Sequence, residues 1–378
     1  MTATPRLLIV EPFAPHSFLA AEWSAAAERA GADVRSITWK GSSEGVPPTP
    51  WRGDVSTTLP SSLAALPRPI GRVWVASVFM RQARVVRSAV TKMLRAFPAT
   101  HMIVSTTLPT DFLGLARTTE SVKVVAVVHG APGAGRMAHA ALQRYAGRDA
   151  SSAGTFVGCM TDRMRELYLE AGCDPCRAIE VPMQWREIRP PAGAQSPADG
   201  PITFIGEARP EKGFVWISET VPDLLDLGPL RIQSYVNTDA MRRDAAVERL
   251  AGMRDSRLEI ITERLSPEDY AALLAGSAAV LLAYDPVAYS GGRISAVMPE
   301  AWASGVPVLV SGGWWAADVV RRLGGGEIFS FGDADSLKAA MVRLRRDHAR
   351  LTCEAHAAYD TMLREQGPDA FAQFVLAL

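Results

Sequence analysis

Tyr284–Ser311, YDPVAYSGGRISAVMPEAWASGVPVLVS, decides how the rest of the chain is read. The apolar run Ala279–Ala283 leads into a polar loop containing two glycines, and a short helix and a second apolar strand follow. Pro299 suits a first helical position, because its φ is fixed and it has no N–H to lose there. Glu300 then falls in the first turn, and Gly305 and Pro307 end the helix at the strand Val306–Val310. Upstream, Ser290-Gly291-Gly292-Arg293-Ile294-Ser295-Ala296 leaves amides around a helix start, where unsatisfied N–H groups and the helix dipole favour an anion such as phosphate. Taken alone, the stretch reads equally as an ordinary strand, loop and helix, so its surroundings must decide.

The same pattern recurs through residues 202–310. Ile202–Ile205 is a strand, Gly206 opens the loop GEARPEKG, and Phe214–Glu219 begins a helix. Leu230–Val236 and Leu258–Thr262 add strands with helices between them. The first half follows suit: Arg6–Val10 is a strand, Phe18–Ala30 a helix and Val34–Trp39 a strand, while Lys40–Leu66 shows no periodicity. After the strand Arg72–Val78 comes a helix over Met80–Phe97. Met102–Ser105 and Val122–Val128 are too continuously apolar for a sheet with one wet face, so helices must cover both faces of a parallel sheet. Thr155–Met160, a helix over Thr161–Ala171 capped by Thr161 or Asp162, and Ala178–Pro182 complete this half. Arg189–Gly200, rich in Pro and Gly, is the clearest linker. Two α/β domains are expected, over residues 1–188 and 201–360, with the linker at 189–200 and terminal helical residues at 361–378.

Bulk properties exclude several classes. The 378 residues suffice for two cores. Lys plus Arg equals Asp plus Glu at 40 each, so no overall field argues for nucleic acid. No segment approaches the roughly 18 apolar residues of a membrane span, and the N-terminus lacks a signal-peptide core, so a cytoplasmic protein is expected. Four cysteines in so long a chain make no disulfide framework, and Cys173-Asp174-Pro175-Cys176 reads as a turn, since no second pair completes a zinc site.

The residues with chemistry lie after strands. Arg209 and Lys212 follow the first strand of the second half, at the carboxyl edge where parallel sheets hold ligands. A guanidinium fork and an ammonium both suit phosphate oxygens. The loop Tyr289–Val297 adds Arg293 and helix-end amides, and Glu300 is an acceptor for vicinal hydroxyls such as those of a ribose. Arg209-Pro210-Glu211-Lys212 alone reads equally as a solvated charge run. His129 stands at the carboxyl end of Val122–Val128, where a structural role is the commoner alternative. On the helix Met80–Phe97, Arg81, Arg84, Arg87, Lys92 and Arg95 share one side. That side reads either as a solvated face or as a patch for anionic headgroups, which would place the protein at the inner membrane surface.

Gly206-Glu207-Ala208-Arg209-Pro210-Glu211-Lys212-Gly213 and Glu300-Ala301-Trp302-Ala303-Ser304-Gly305-Val306-Pro307-Val308 resemble two segments of the retaining nucleotide-sugar glycosyltransferases of the GT-B fold, family four in particular. The resemblance implies two Rossmann-like domains facing across a cleft, mostly parallel sheets, and a C-terminal helix crossing back to the first domain. It implies that Arg209 and Lys212 contact the donor diphosphate, that Ser295 and Ala296 offer it amides, that Gly206 belongs to this loop, and that Glu300 holds the ribose. Tyr289 and Arg293 match a subgroup whose loop reads Y-x-x-x-R-x-S-G, and His129 would lie beside the transferred sugar. No metal or other cofactor is implied. The expected function is transfer of a hexose from a UDP- or GDP-sugar to a glycan, lipid-linked or small-molecule hydroxyl acceptor in glycan biosynthesis.

Three departures keep other readings open. Gly292 stands where the family has a glutamate facing the sugar, Glu207 where it has an arginine, and Glu11-Pro12-Phe13-Ala14-Pro15-His16 has no glycine where the family has a glycine-rich acceptor loop. A sugar-nucleotide 2-epimerase and a non-catalytic nucleotide-binding scaffold share the same plan.

Overall fold

The computed structural model describes residues 4–11, 17–38, 84, 86–105, 121–132, 136–147, 154–183, 196–235 and 245–378. The readings of Pro12–His16, Lys40–Leu66, Arg72–Val78, Arg81 and the linker up to Gln195 fall outside these residues. The chain divides into two compact units, Met1–Gln184 with Glu365–Leu378, and Trp185–Arg364.

In the first unit six strands run in the order β2-β1-β3-β4-β5-β6. They are β1 (Arg6–Glu11), β2 (Asp33–Thr38), β3 (His101–Val104), β4 (Lys123–Val128), β5 (Thr155–Cys159) and β6 (Ala178–Glu180), all paired in parallel. Leu7 to Ile9 and Val125 to Val128 are completely buried, which requires cover on both faces of the sheet. That cover includes α1 (Ser17–Arg29), α2 (residues 86–96), α3 (Arg136–Ala146) and α4 (Asp162–Glu170). On α2, Val86, Ala89 and Val90 join Leu8, Val10, Met102 and Val124 in one cluster. Arg84, Lys92 and Arg95 stay exposed and Arg87 is half-buried. Of the two capping candidates it is Thr161 that acts, its hydroxyl accepting from Met164 N at 3.2 Å. Cys173 is buried and Cys176 exposed, both free, and Cys176 N donates to Asp174 Oδ1 at 2.7 Å in an Asx turn.

The second unit repeats the plan with β7 (Ile202–Glu207), β8 (Leu230–Tyr235), β9 (Leu258–Ile261), β10 (Ala279–Leu282), β11 (Val308–Ser311) and β12 (Gly326–Phe329). The order is β12-β11-β10-β7-β8-β9, again all parallel. β12 has no counterpart in the sequence reading, because GEIF is short and mostly half-exposed. The helices are α5 (Phe214–Leu224), α6 (Ala245–Gly252), α7 (Pro267–Ala275), α8 (Pro286–Tyr289), α9 (Val297–Ala303), α10 (Trp315–Leu323), α11 (Ala334–Arg346) and α12 (His348–Gln366). α5 buries Phe214, Ile217, Val221 and Leu224, a 3–4–3 spacing that lays one helix face on Phe204, Leu230 and Leu281. Each such side chain contributes about 1.5–3 kcal/mol by leaving water. Strands β7 to β9 extend to one side and β10 to β12 to the other, so the order reverses between β7 and β10. In an open parallel sheet that reversal opens a crevice at the carboxyl ends, because the two following loops turn away from each other.

α12 carries the chain back to the first unit, and α13 (Pro368–Ala377) lies on α1 there. The rings of Trp23 and Phe371 approach to 4.8 Å between centroids, and Arg29 pairs with Asp369 on the surface at 2.6 Å.

Candidate functional site

The loops leaving β7 and β10 frame the reversal point of the second sheet. The sequence suggested that the loop opens at Gly206; instead β7 continues through Gly206 to Glu207, which pairs with Tyr235. Gly206 has φ +139°, and a Cβ there would stand 2.8 Å from Lys212 Nζ. The absent side chain therefore makes room for the ammonium. After Arg209 the chain makes a 3-10 turn over Pro210–Lys212, closed by Gly213 at φ +76°. A Cβ on Gly213 would collide with the carbonyl oxygen of Ala283, so only glycine lets this loop pass under the end of β10. Asp285 N donates to Glu211 O at 3.0 Å and ties the two loops together.

This loop concentrates charge. Lys212 is half-buried, with Nζ 5.8 Å from the centroid of the Tyr284 ring. Burial, followed by the neighbouring Arg209 guanidinium, pushes its ammonium down to about 8, while Glu207, Glu211 and Glu300 pull the other way. Arg209 Nε lies 3.2 Å from Glu207 Oε2, and one Nη lies 3.5 Å from Glu211 Oε1. The Nε is buried yet not aligned to donate a hydrogen bond. The carboxylate that replaces the expected arginine thus flanks the arginine two positions on.

The second loop rests on an aromatic cluster. Tyr284, Tyr289 and Trp314 have ring centroids 4.8 to 5.0 Å apart. Trp314 Nε1 donates to Ser311 Oγ at 3.1 Å, and that hydroxyl in turn donates to Tyr284 O. Full burial raises the Tyr284 phenol, which lies 3.5 Å from the Oγ of buried Ser295. The exposed Arg293 guanidinium lies 5.8 Å from the Tyr289 ring centroid. Gly292 is buried at φ +76°, a conformation that explains glycine here, since a glutamate would be strained in it.

Ala296 is the N-cap of α9, and the helix begins at Val297, so Pro299 is its third residue rather than its first. The correction has a simple cause: amides throughout the first turn lack intrahelical acceptors, so a missing N–H is tolerated at the third position too. The other end is as expected. Gly305, at φ +67°, donates to Trp302 O at 2.9 Å and Val306 N to Ala301 O at 3.0 Å, the paired bonds of a Schellman motif. In the first turn, a Glu300 carboxylate oxygen accepts from Tyr270 Oη of α7 at 2.6 Å.

The structure therefore places Gly206 near the end of β7 with Arg209 and Lys212 in the turn that follows, and, after β10, Tyr289 on α8, Arg293, Ser295 and Ala296 in the loop and Glu300 on α9. His129 belongs to the first unit, half-buried directly after β4. Sequence reasoning missed Tyr270, Tyr284 and Trp314. Tyr284 and Trp314 each follow a strand closely, a signal that was legible; Tyr270, thirty residues before Glu300, carried none.

No family model and no curated protein matches the sequence. Solved structures do match. Sucrose-phosphate synthase from Thermosynechococcus elongatus is 16% identical over 98% of this chain and 97% of its own, with a TM-score of 0.68. HepE of Anabaena in complex with UDP-glucose is 12% identical over 98% of both chains, at 0.64. A putative UDP-N-acetylglucosamine 2-epimerase from Listeria monocytogenes is 15% identical over 98% of this chain and 94% of its own, at 0.54. Likeness at such identities defines architecture: two Rossmann-like units with parallel six-stranded sheets, the GT-B fold.

Proposed function

We propose that this protein is a metal-independent glycosyltransferase that moves a hexose from a UDP- or GDP-sugar to a hydroxyl acceptor with retention at the anomeric carbon. The observation that carries this reading is the Lys212 ammonium, held beside Gly206 and Arg209 at the reversal point of the second sheet and pushed down to about 8. A cation so desolvated gains from an arriving diphosphate what it lost in leaving water. Arg209 and Lys212 then stabilise the charge growing on the leaving diphosphate as the sugar becomes oxocarbenium-like, a role that Mg²⁺ fills elsewhere. Ser295 and Ala296 amides complete the diphosphate contacts, and Arg293 and Tyr289 border them. Glu300 takes the ribose hydroxyls. In the same reading His129 serves the transferred sugar. Support also comes from the fold neighbours, one of which is in complex with UDP-glucose.

The acceptor is a glycan, a lipid-linked molecule or a small alcohol. Exposed Arg84, Lys92 and Arg95 on α2 support a further reading, contact with an anionic membrane surface.

The test is turnover of UDP- and GDP-hexoses with and without EDTA. Lys212→Ala is expected to lower kcat by about 10²–10³, with wild-type turnover indifferent to EDTA. A Lys212→Ala protein as fast as wild type would sink the assignment. The fold likeness to a putative 2-epimerase motivates one alternative. UDP-GlcNAc incubated without acceptor that yields the manno epimer would replace transfer by epimerisation, whereas UDP binding without hydrolysis, transfer or epimerisation would leave a nucleotide-binding scaffold.

A further inference from the structure

We propose that Tyr270 is a positioning residue for Glu300 and, through it, sets the preference of this site for a ribonucleotide over a deoxyribonucleotide. The inference rests on the reading of Glu300 as the ribose acceptor and adds to it a residue that no motif marks. A glutamate carboxylate is poorly oriented by itself, because rotation about its last torsion is broad and nearly two-fold. Tyr270 Oη donates to Glu300 Oε2 at 2.6 Å, within the short range of hydrogen bonds to an ionised acceptor. One oxygen is thereby pinned and the plane of the carboxylate is set.

The phenol is itself well held. Tyr270 lies on α7, whose start is built to be rigid: Pro267 occupies the first turn, Ser266 Oγ accepts from Asp269 N at 3.0 Å, and the same hydroxyl donates to Asp269 Oδ2 at 2.8 Å. Leu273 and Leu274, three and four residues on, are buried on the same side of the helix as Tyr270, and α7 packs against α9, which carries Glu300. Both partners thus sit on helices, and the geometry between them is set before any ligand arrives. A preset acceptor discriminates more sharply than a mobile one, because its orientation favours a ligand hydroxyl at one place and no rotation of the side chain adapts it to a ligand that lacks the hydroxyl.

The closing experiment is calorimetric titration of wild type, Tyr270→Phe, Glu300→Gln and the double variant with UDP and GDP, each against its 2′-deoxy and 3′-deoxy forms. Wild type should bind the ribose form of its preferred base about tenfold or more tightly than at least one deoxy form. Tyr270→Phe should reduce that ratio to about threefold or less by weakening the ribose form alone, with the deoxy affinity and the melting temperature of the free protein unchanged. Adding Tyr270→Phe to Glu300→Gln should change the ratio no further, since both act on one contact. A merely structural tyrosine would weaken ribose and deoxy forms alike and keep the ratio. Tyr270→Leu must lose the ratio to the same extent and stands in if the phenylalanine variant does not fold. A Tyr270→Phe protein with the wild-type ratio overturns the positioning role and leaves the ribose reading of Glu300 standing. A wild type that binds ribose and deoxy forms equally overturns both.

Discussion

Lys212 shows what a single position can and cannot reveal in advance. That a lysine follows Gly206 by six residues is plain from the chain, but its lowered proton affinity arises from burial and from Arg209, both products of the folded loop. The pH dependence follows with a definite sign. Below about 8 the ammonium is charged and, in the proposed role, serves a diphosphate; above it the charge is lost. Nucleotide affinity should therefore fall as pH rises from 7 to 9, approaching that of Lys212→Ala, and binding near pH 8 should take up a proton because phosphate favours the charged form. Titration in buffers of different ionisation enthalpy reads this directly, and a flat affinity across that window would remove Lys212 from the contact. Stability moves the other way. The folded group holds its proton less tightly than the unfolded chain, so its contribution rises with pH between about 8 and the ordinary lysine value. Gly292 makes the complementary point: its identity departs from the family pattern that the sequence resembles, and its backbone supplies the reason, φ +76°.

At the scale of elements, the motifs were legible because each rests on local geometry. Gly305 ends α9, Thr161 starts α4, and the valine runs become strands covered on both faces. Pro299 is the third residue of α9 rather than the first, since any position in a first turn tolerates its missing N–H. α2 bears its own prediction. Its apolar side is committed to the core cluster, so exposed Arg84, Lys92 and Arg95 are left for solvent or for a surface of opposite charge. Co-sedimentation with vesicles containing about a third anionic lipid should be measurable at low salt and decline steeply as ionic strength passes 0.15 M, where the Debye length is about 8 Å. Binding indifferent to salt, or no binding at any salt, would count against the membrane reading. The hydrogen bond between Tyr270 and Glu300 is also an event between elements, which is why no local pattern announced it.

For the whole molecule, the chain returns to its first unit over Glu365–Leu378. Phe371 is completely buried against Trp23, so residues more than three hundred positions apart share one core. Phe371→Ala should destabilise the first unit by about 3–5 kcal/mol and lower its melting temperature by roughly 10 °C. Scanning calorimetry should show that loss while the nucleotide affinity of the second unit holds; an unmoved transition would mean that α13 contributes little. The sequence alone determined the class of fold, the repeat of two parallel α/β halves and the two loops that follow β7 and β10, because strand hydrophobicity, glycine at positive φ and proline near helix starts act over a few residues. Long-range packing set the strand order that places those loops at one reversal point, the cluster of Tyr284, Tyr289 and Trp314, the proton affinity of Lys212 and the contact of Tyr270 with Glu300. These depend on which strands and helices become neighbours, and that choice is made by burial summed over the whole core rather than by any local stretch of sequence.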